Sequence, residues 1–153
     1  MQDNSIGQVS LLFMLQSVLF VALLLIASVF DVKKRIIPDT VCIGVALTGL
    51  MIFEPSRLLG CFSAIPFFIA ALMNGKIGGG DIKLTAAAGI VLGIGGGIAA
   101  MIIGLTAMLL FYAAYAITQR LRKRERKRAF PLAPFLSIGC ITAYLISTGG
   151  ITL

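Results

Sequence analysis

The sequence predicts an all-α fold: a polytopic membrane protein built as a bundle of about six transmembrane helices. Three observations predict it. Apolar residues fill 59% of the 153 positions, against roughly 45–50% in a soluble domain. They gather into runs approaching the roughly 20 residues that carry a helix across a hydrocarbon core about 30 Å thick. Basic residues collect in alternate connections between those runs, the asymmetry that orients helices in a bilayer. The strict alternation of a closed barrel is absent, so each run is read as a helix.

The first span is expected over 11–31. Only Gln16, Ser17 and Ser28 interrupt it up to residue 30, and residues 1–10 contain no Lys or Arg. A secretory signal carries its positive charge ahead of the apolar core, whereas here Lys33, Lys34 and Arg35 follow it, so the segment reads as a retained span. The second span, 39–53, begins after Pro38 with Asp39 in the position of a helix N-cap. The third covers 58–74. The fourth and fifth, 82–93 and 96–118, must be separate, because one unbroken helix over 84–118 would be about 52 Å long. The glycine cluster at 93–97 offers the turn. The sixth span covers 132–149. Almost nothing is left over, and residues 1–153 read as a single integral-membrane domain.

Assigned alternately to the two sides, Lys33, Lys34, Arg35, Lys76, Lys83 and the seven basic residues of 120–128 fall together, and Arg57 falls opposite. Cytoplasmic loops retain Lys and Arg, which predicts a multi-pass protein of the cell (cytoplasmic or inner) membrane with both termini outside. The net charge of +7 is therefore read as orientation, and no nucleic-acid partner is expected. The run at 120–128 is expected to meet anionic lipid headgroups, at about 1 kcal/mol per basic residue.

The chain has no histidine, which excludes Ser-His and Cys-His catalysis and His-ligated metals. Cys42, Cys61 and Cys140 lie far apart in separate apolar runs, with neither zinc-site spacing nor a disulfide framework, and read as buried thiols. No metal or cofactor is expected. Carboxylates remain as acid–base groups.

There are six acidic residues. Asp31 falls at the cytoplasmic end of the first span and Asp81 at the cytoplasmic start of the fourth. Glu125 is embedded in the basic run, Glu54 and Asp3 fall on the opposite side, and Asp39 is expected to cap a helix. Singly, Asp31 could pair with Lys34 or Arg35 at helical spacing, and Asp81 could be a simple cap. Jointly they point elsewhere, because a carboxylate within the hydrocarbon costs about 2.5–3.5 kcal/mol on insertion scales and marks a functional site. A fourth helix starting at Asp81 is only about 18 Å long, so its start is expected below the surface, in a loop that lines protein or water. Gly78, Gly79 and Gly80 are expected to adopt conformations closed to other residues and to admit an extended chain. Two carboxylates in such a cavity share a proton, one serving as base and the other as acid to activate water, which is the chemistry of an aspartic protease.

These residues resemble the type IV prepilin peptidases, within the G-x-G-D class of intramembrane aspartic proteases. Gly78-Gly79-Gly80-Asp81 is the G-x-G-D, and Lys83 extends it to G-x-G-D-x-K. Asp31 is followed by Arg35 four residues on and by Ile37-Pro38, as in the family's first aspartate motif. The segment at 130–139, with Pro131 and Pro134, is similar to the P-F-G-P-F-L run that opens the family's last helix. Asp39 stands where the family usually has Asn, and Leu132-Ala133 replaces Phe-Gly.

The resemblance implies six spans, catalytic Asp31 and Asp81, and a site loop of Gly78, Gly79, Gly80 and Lys83. Arg35, Pro38, Pro131 and Pro134 would support it. It implies cleavage of prepilin, pseudopilin or preflagellin-like precursors between a basic cytoplasmic leader and an apolar helix. Larger members carry an inserted domain with paired C-x-x-C motifs and methyltransferase activity; that insert is not present in this sequence, so peptidase activity alone is implied. The short form is similar to the enzymes of tight-adherence (Flp-type) pili or to archaeal preflagellin peptidases. Two other classes are compatible with intramembrane aspartates: a small transporter using them as relay groups, and a non-catalytic subunit of a secretion or pilus assembly.

Overall fold

The computed structural model describes residues 3–52, 54–74, 78–122 and 131–148, and all regular structure among them is helical. In chain order the elements are α1 (Asp3–Lys34), α2 (Asp39–Leu50), α3 (Pro55–Leu58), a 3-10 segment (Leu59–Ala64), α4 (Ile65–Asn74), α5 (Gly79–Arg122) and α6 (Ala133–Thr148). Three helical stretches, Leu11–Lys34, Pro55–Met73 and Gly79–Gln119, have the length and apolarity to cross a membrane, and Asp39–Leu50 and Ala133–Ser147 are shorter apolar helices. The chain is an all-α, multi-pass membrane protein.

The boundaries differ from expectation in instructive ways. α2 stops at Leu50 after 12 residues, about 18 Å of rise, where the apolar run alone suggested a span to residue 53. The third apolar run is not one helix: Pro55 starts a single turn, and a 3-10 segment tightens the chain before α4. α5 carries one non-helical residue, Gly93, at φ 74 and ψ 176, a region essentially open to glycine alone. The chain folds back there. The Cβ position of Gly97 lies 3.3 Å from the Gly89 Cα, whereas a straight helix separates residues eight apart by about 12 Å. The fourth and fifth expected spans are thus the two arms of α5, hinged at Gly93 alone, with Gly95, Gly96 and Gly97 already helical.

α5 packs against α2, the 3-10 segment and α6, and α1 packs against α2 and α6. Side chains of Phe20, Leu24, Val45, Leu84, Val91 and Leu136 are fully buried between these helices. Buried Gln16 donates from Nε2 to the Thr48 carbonyl at 3.0 Å, tying α1 to the end of α2. Two contacts depend on glycine. A Cβ on Gly60 would overlap the Gly89 carbonyl, and one on Gly139 would overlap the Ala100 carbonyl beside Gly104. Small residues let helix backbones touch where no hydrophobic force drives helices together inside a bilayer. The outward faces are apolar, with Leu11, Val18, Ile36, Leu72 and Met73 well exposed, as lipid-facing surfaces are.

Arg57 pairs with Glu54 at 2.9 Å and donates to the Val91 carbonyl at 3.3 Å, next to the Gly93 fold. That end of the first α5 arm is opposite the end that carries Asp81. Lys76 and residues 123–128, which carry much of the expected cytoplasmic charge, and Glu125 lie outside the described residues.

Candidate active site

Asp31 sits in the last turn of α1. The helix is closed by Arg35, whose N–H donates to the Asp31 carbonyl at 2.9 Å while its φ of 53 turns the chain out of the helix. Ile36, Ile37 and Pro38 then run without regular structure to α2. Pro38 is extended at φ -61 and ψ 137, and its carbonyl accepts the amides of Val41 at 3.0 Å and Cys42 at 3.4 Å. Pro38 is therefore the N-cap, and Asp39 is the first helical residue. This corrects the expectation that Asp39 caps α2: its carboxylate is engaged by Lys83 instead.

Asp31 is 7% exposed, and its carboxylate accepts a 2.9 Å hydrogen bond at Oδ2 from the backbone N–H of Ala133. Ala133 opens α6, where the first amides have no partner within the helix. The Leu132 carbonyl takes the amides of Phe135 and Leu136, both at 3.1 Å, and Pro134 has no N–H to satisfy. The amide of Ala133 is thus left to the carboxylate. The prolines at 131 and 134 frame a helix start that is aimed at Asp31. Only the proline pattern hinted at this donor in the sequence.

Asp81 is the third residue of α5, with its N–H donating to the Gly78 carbonyl at 3.1 Å and its own carbonyl accepting from Thr85 Oγ1 at 2.8 Å. Its side chain is half-buried, and Oδ1 is buried with no hydrogen-bond partner. Asp31 and Asp81 are near enough for their charges to act on one another. Both line one cavity of ≈ 270 Å³ with Arg35, Ile37, the three glycines and Lys83.

Close approach at Gly80, and not unusual backbone angles, is what the glycine run provides. Gly93 is the positive-φ glycine among the described residues, and Gly79 and Gly80 already belong to α5. A Cβ on Gly80 would lie 3.0 Å from the Ile37 Cβ, whereas one on Gly79 would meet nothing. The bare backbone at Gly80 lets α5 start directly against the segment leaving α1, which brings the two aspartates together.

Lys83 lines the same cavity. Its Nζ lies 2.8 and 2.9 Å from the two carboxylate oxygens of Asp39, an exposed bridge between α2 and α5, and not against Asp81. Two residues along a helix point to different faces, so Lys83 does not meet Asp81. Among the described residues no three His, Cys, Asp or Glu side chains gather as a metal site would need.

The arrangement joins two carboxylates from different helices that line one small cavity, one oriented by a backbone amide and the other with a buried oxygen that has no hydrogen-bond partner. Residues 18–117, which include both, match the type IV leader peptidase family. The chain belongs to that family. Among curated relatives, the type IV leader peptidase-family chain is 36% identical over 138 residues to a prepilin leader peptidase/N-methyltransferase of Bacillus subtilis (strain 168). The aligned region takes in 84% of this chain and 54% of that protein, so the chain spans about half the length of this relative. No solved structure matches the chain. The family match ends at 117, so the α6 start that reaches Asp31 lies beyond it.

Proposed function

We propose that this chain is a membrane-embedded aspartic endopeptidase that removes the short basic leader of a prepilin-like precursor at the cytoplasmic face of the membrane. The observation that carries the reading is the meeting of Asp31 and Asp81 in one cavity, one carboxylate held by the Ala133 amide and the other with Oδ1 unengaged. Family membership supports the same reading.

In this mechanism a water molecule sits between the two carboxyl groups, with one proton shared by the pair. The ionised carboxylate takes a proton from the water as its oxygen attacks the scissile carbonyl carbon. The protonated partner gives its proton to the carbonyl oxygen. Collapse of the tetrahedral species breaks the C–N bond: the leaving nitrogen takes up the proton from the carboxyl that acted as base, and the other carboxylate takes back a hydroxyl proton as the new carbonyl forms. No covalent enzyme intermediate forms. The backbone beside Gly78, Gly79 and Gly80 borders the extended segment being cut, and Asp31 is kept in register by the hydrogen bond from α6.

The proposal treats residues 1–153 as one peptidase domain, and the relative's N-methyltransferase activity is not part of it. It places both termini outside and the cavity on the cytoplasmic side, as the distribution of Lys and Arg supports.

Co-expression with a tagged pilin precursor tests the chemistry. Asp31→Asn and Asp81→Asn are each expected to leave the precursor full length, and normal trimming with either overturns the reading. Orientation is tested with single cysteines at Ser56 and Lys34 in a cysteine-free background. An impermeant thiol reagent is expected to label only the former from outside, and the reverse pattern would reject the assigned sidedness.

A further inference from the structure

Beside the cavity of Asp31 and Asp81 lies a second, open and largely apolar one of ≈ 390 Å³ between α2 and α5. One stripe from each helix walls it. α2 supplies Asp39, Cys42, Ile43 and Ala46, and α5 supplies Lys83, Ala86, Ala87 and Ile90. Each set has the spacing i, i+3, i+4, i+7, a single face of an α-helix. Seven residues of rise make the groove about 10 Å long. Both stripes begin at the same place, the Asp39–Lys83 ion pair, and those two residues also line the cavity of the aspartates. Groove and cavity adjoin at that pair.

Beyond the ion pair the groove has no charge. Its floor is small, with Cys42 and Ala87 buried and Ala46 and Ala86 half-buried, while Ile43 stands 59% exposed on the rim. Small side chains on two neighbouring faces let a third helix approach closely. At the other end, the adjoining cavity holds the two aspartates of the proposed chemistry, Asp31 and Asp81. An occupant that is apolar along the groove and continues as a polypeptide into the cavity matches both ends; a lipid offers the two aspartates no peptide bond. The comparable apolar groove between α1 and α6, ≈ 470 Å³, shares no residue with the cavity of the aspartates.

We infer that the α2–α5 groove is the docking site for the substrate's own apolar helix. The helix of a single-span precursor lies along the two stripes, and its junction with the basic leader crosses the Asp39–Lys83 pair to reach Asp31 and Asp81. This rests on the peptidase reading above and adds to it the surface that selects the substrate. Recognition is of the helix-in-groove kind, read by apolar side chains at helical spacing on the precursor.

The test uses the full chain in membranes. With p-benzoylphenylalanine at Ile43 in an Asp31→Asn background, a tagged precursor is expected to crosslink through its apolar helix. The same probe at Val18, in the α1–α6 groove, is expected to give no such product. Separately, Ala86→Leu fills the groove and is expected to raise KM for the whole precursor about ten-fold with kcat within about two-fold. KM for a leader-junction peptide lacking the helix is expected to stay unchanged. Crosslinking of Ile43 to lipid alone, equal crosslinking from Val18, or a wild-type KM for the precursor in Ala86→Leu each overturns the inference. Because Ile43 is exposed, the crosslinking arm stands even where Ala86→Leu fails to fold. If wild-type protein trims the precursor and Asp31→Asn does not, the peptidase reading survives a failed groove. If wild-type protein does not trim it, both fall together.

Discussion

The backbone N–H of Ala133 meets Oδ2 of Asp31 at 2.9 Å, so the first turn of α6 holds a carboxylate at the last turn of α1. The bond is buried, and it satisfies an amide that a helix start otherwise leaves open. Hydrogen bonds to charged groups contribute about 1.5–3 kcal/mol. That is enough to fix which oxygen of Asp31 faces the cavity.

Ala133→Pro removes this donor at a helix position where proline's fixed φ is tolerated. Precursor cleavage is expected to fall about ten-fold or more, the factor that corresponds to losing a bond of about 1.5 kcal/mol, while helical content by circular dichroism is retained. Unchanged cleavage would show that the Ala133 amide does not position Asp31.

Gly80 and Gly79 are adjacent but unequal. A methyl group on Gly80 lands 3.0 Å from the Ile37 Cβ and must push α5 away from the segment after Asp31, while one on Gly79 points into open space. Cleavage by Gly80→Ala is expected to drop well below that by Gly79→Ala in the same assay. Equal activities would contradict the idea that the Gly80–Ile37 contact sets the separation of the two aspartates.

The Asp39–Lys83 bridge connects α2 to α5 at the border of the cavity and the groove. Asp39→Lys and Lys83→Asp are each expected to weaken precursor turnover by bringing like charges together. The double reversal is expected to recover most of it, because the pair is re-formed with opposite polarity. Additive losses in the double variant would mean that the two side chains do not act on one another.

Gly93 at φ 74 and ψ 176 folds α5 into two arms. Gly93→Ala forces a side chain into a backbone region essentially reserved for glycine, at about 1–3 kcal/mol. The thermal midpoint in detergent is expected to fall, whereas Gly95→Ala, with open space around it, is expected to leave it near wild type. A Gly93→Ala protein as stable as wild type would place the fold of α5 elsewhere.

Much of this protein is legible along the chain because a bilayer imposes one-dimensional rules. The apolar runs are long, the polar punctuation between them is sharp, and a single helix over 84–118 is too long for the membrane, so the all-α class and the break at the glycine cluster follow from counting residues. The exclusion of histidine chemistry and the choice of Asp31 and Asp81 as candidates rest on residue types at span ends, and the three motifs around them carry the family. Tertiary packing decided what one-dimensional rules do not reach. Lys83 faces Asp39 and leaves Asp81 bare, Pro38 takes the capping position from Asp39, and Gly80 is glycine for the sake of Ile37. The amide that grips Asp31 comes from a helix 102 residues away. Hydropathy and charge act on each segment separately, so they are written in local sequence. Which donor meets which acceptor depends on how segments far apart in the chain are brought against each other, and that is set only when the helices pack.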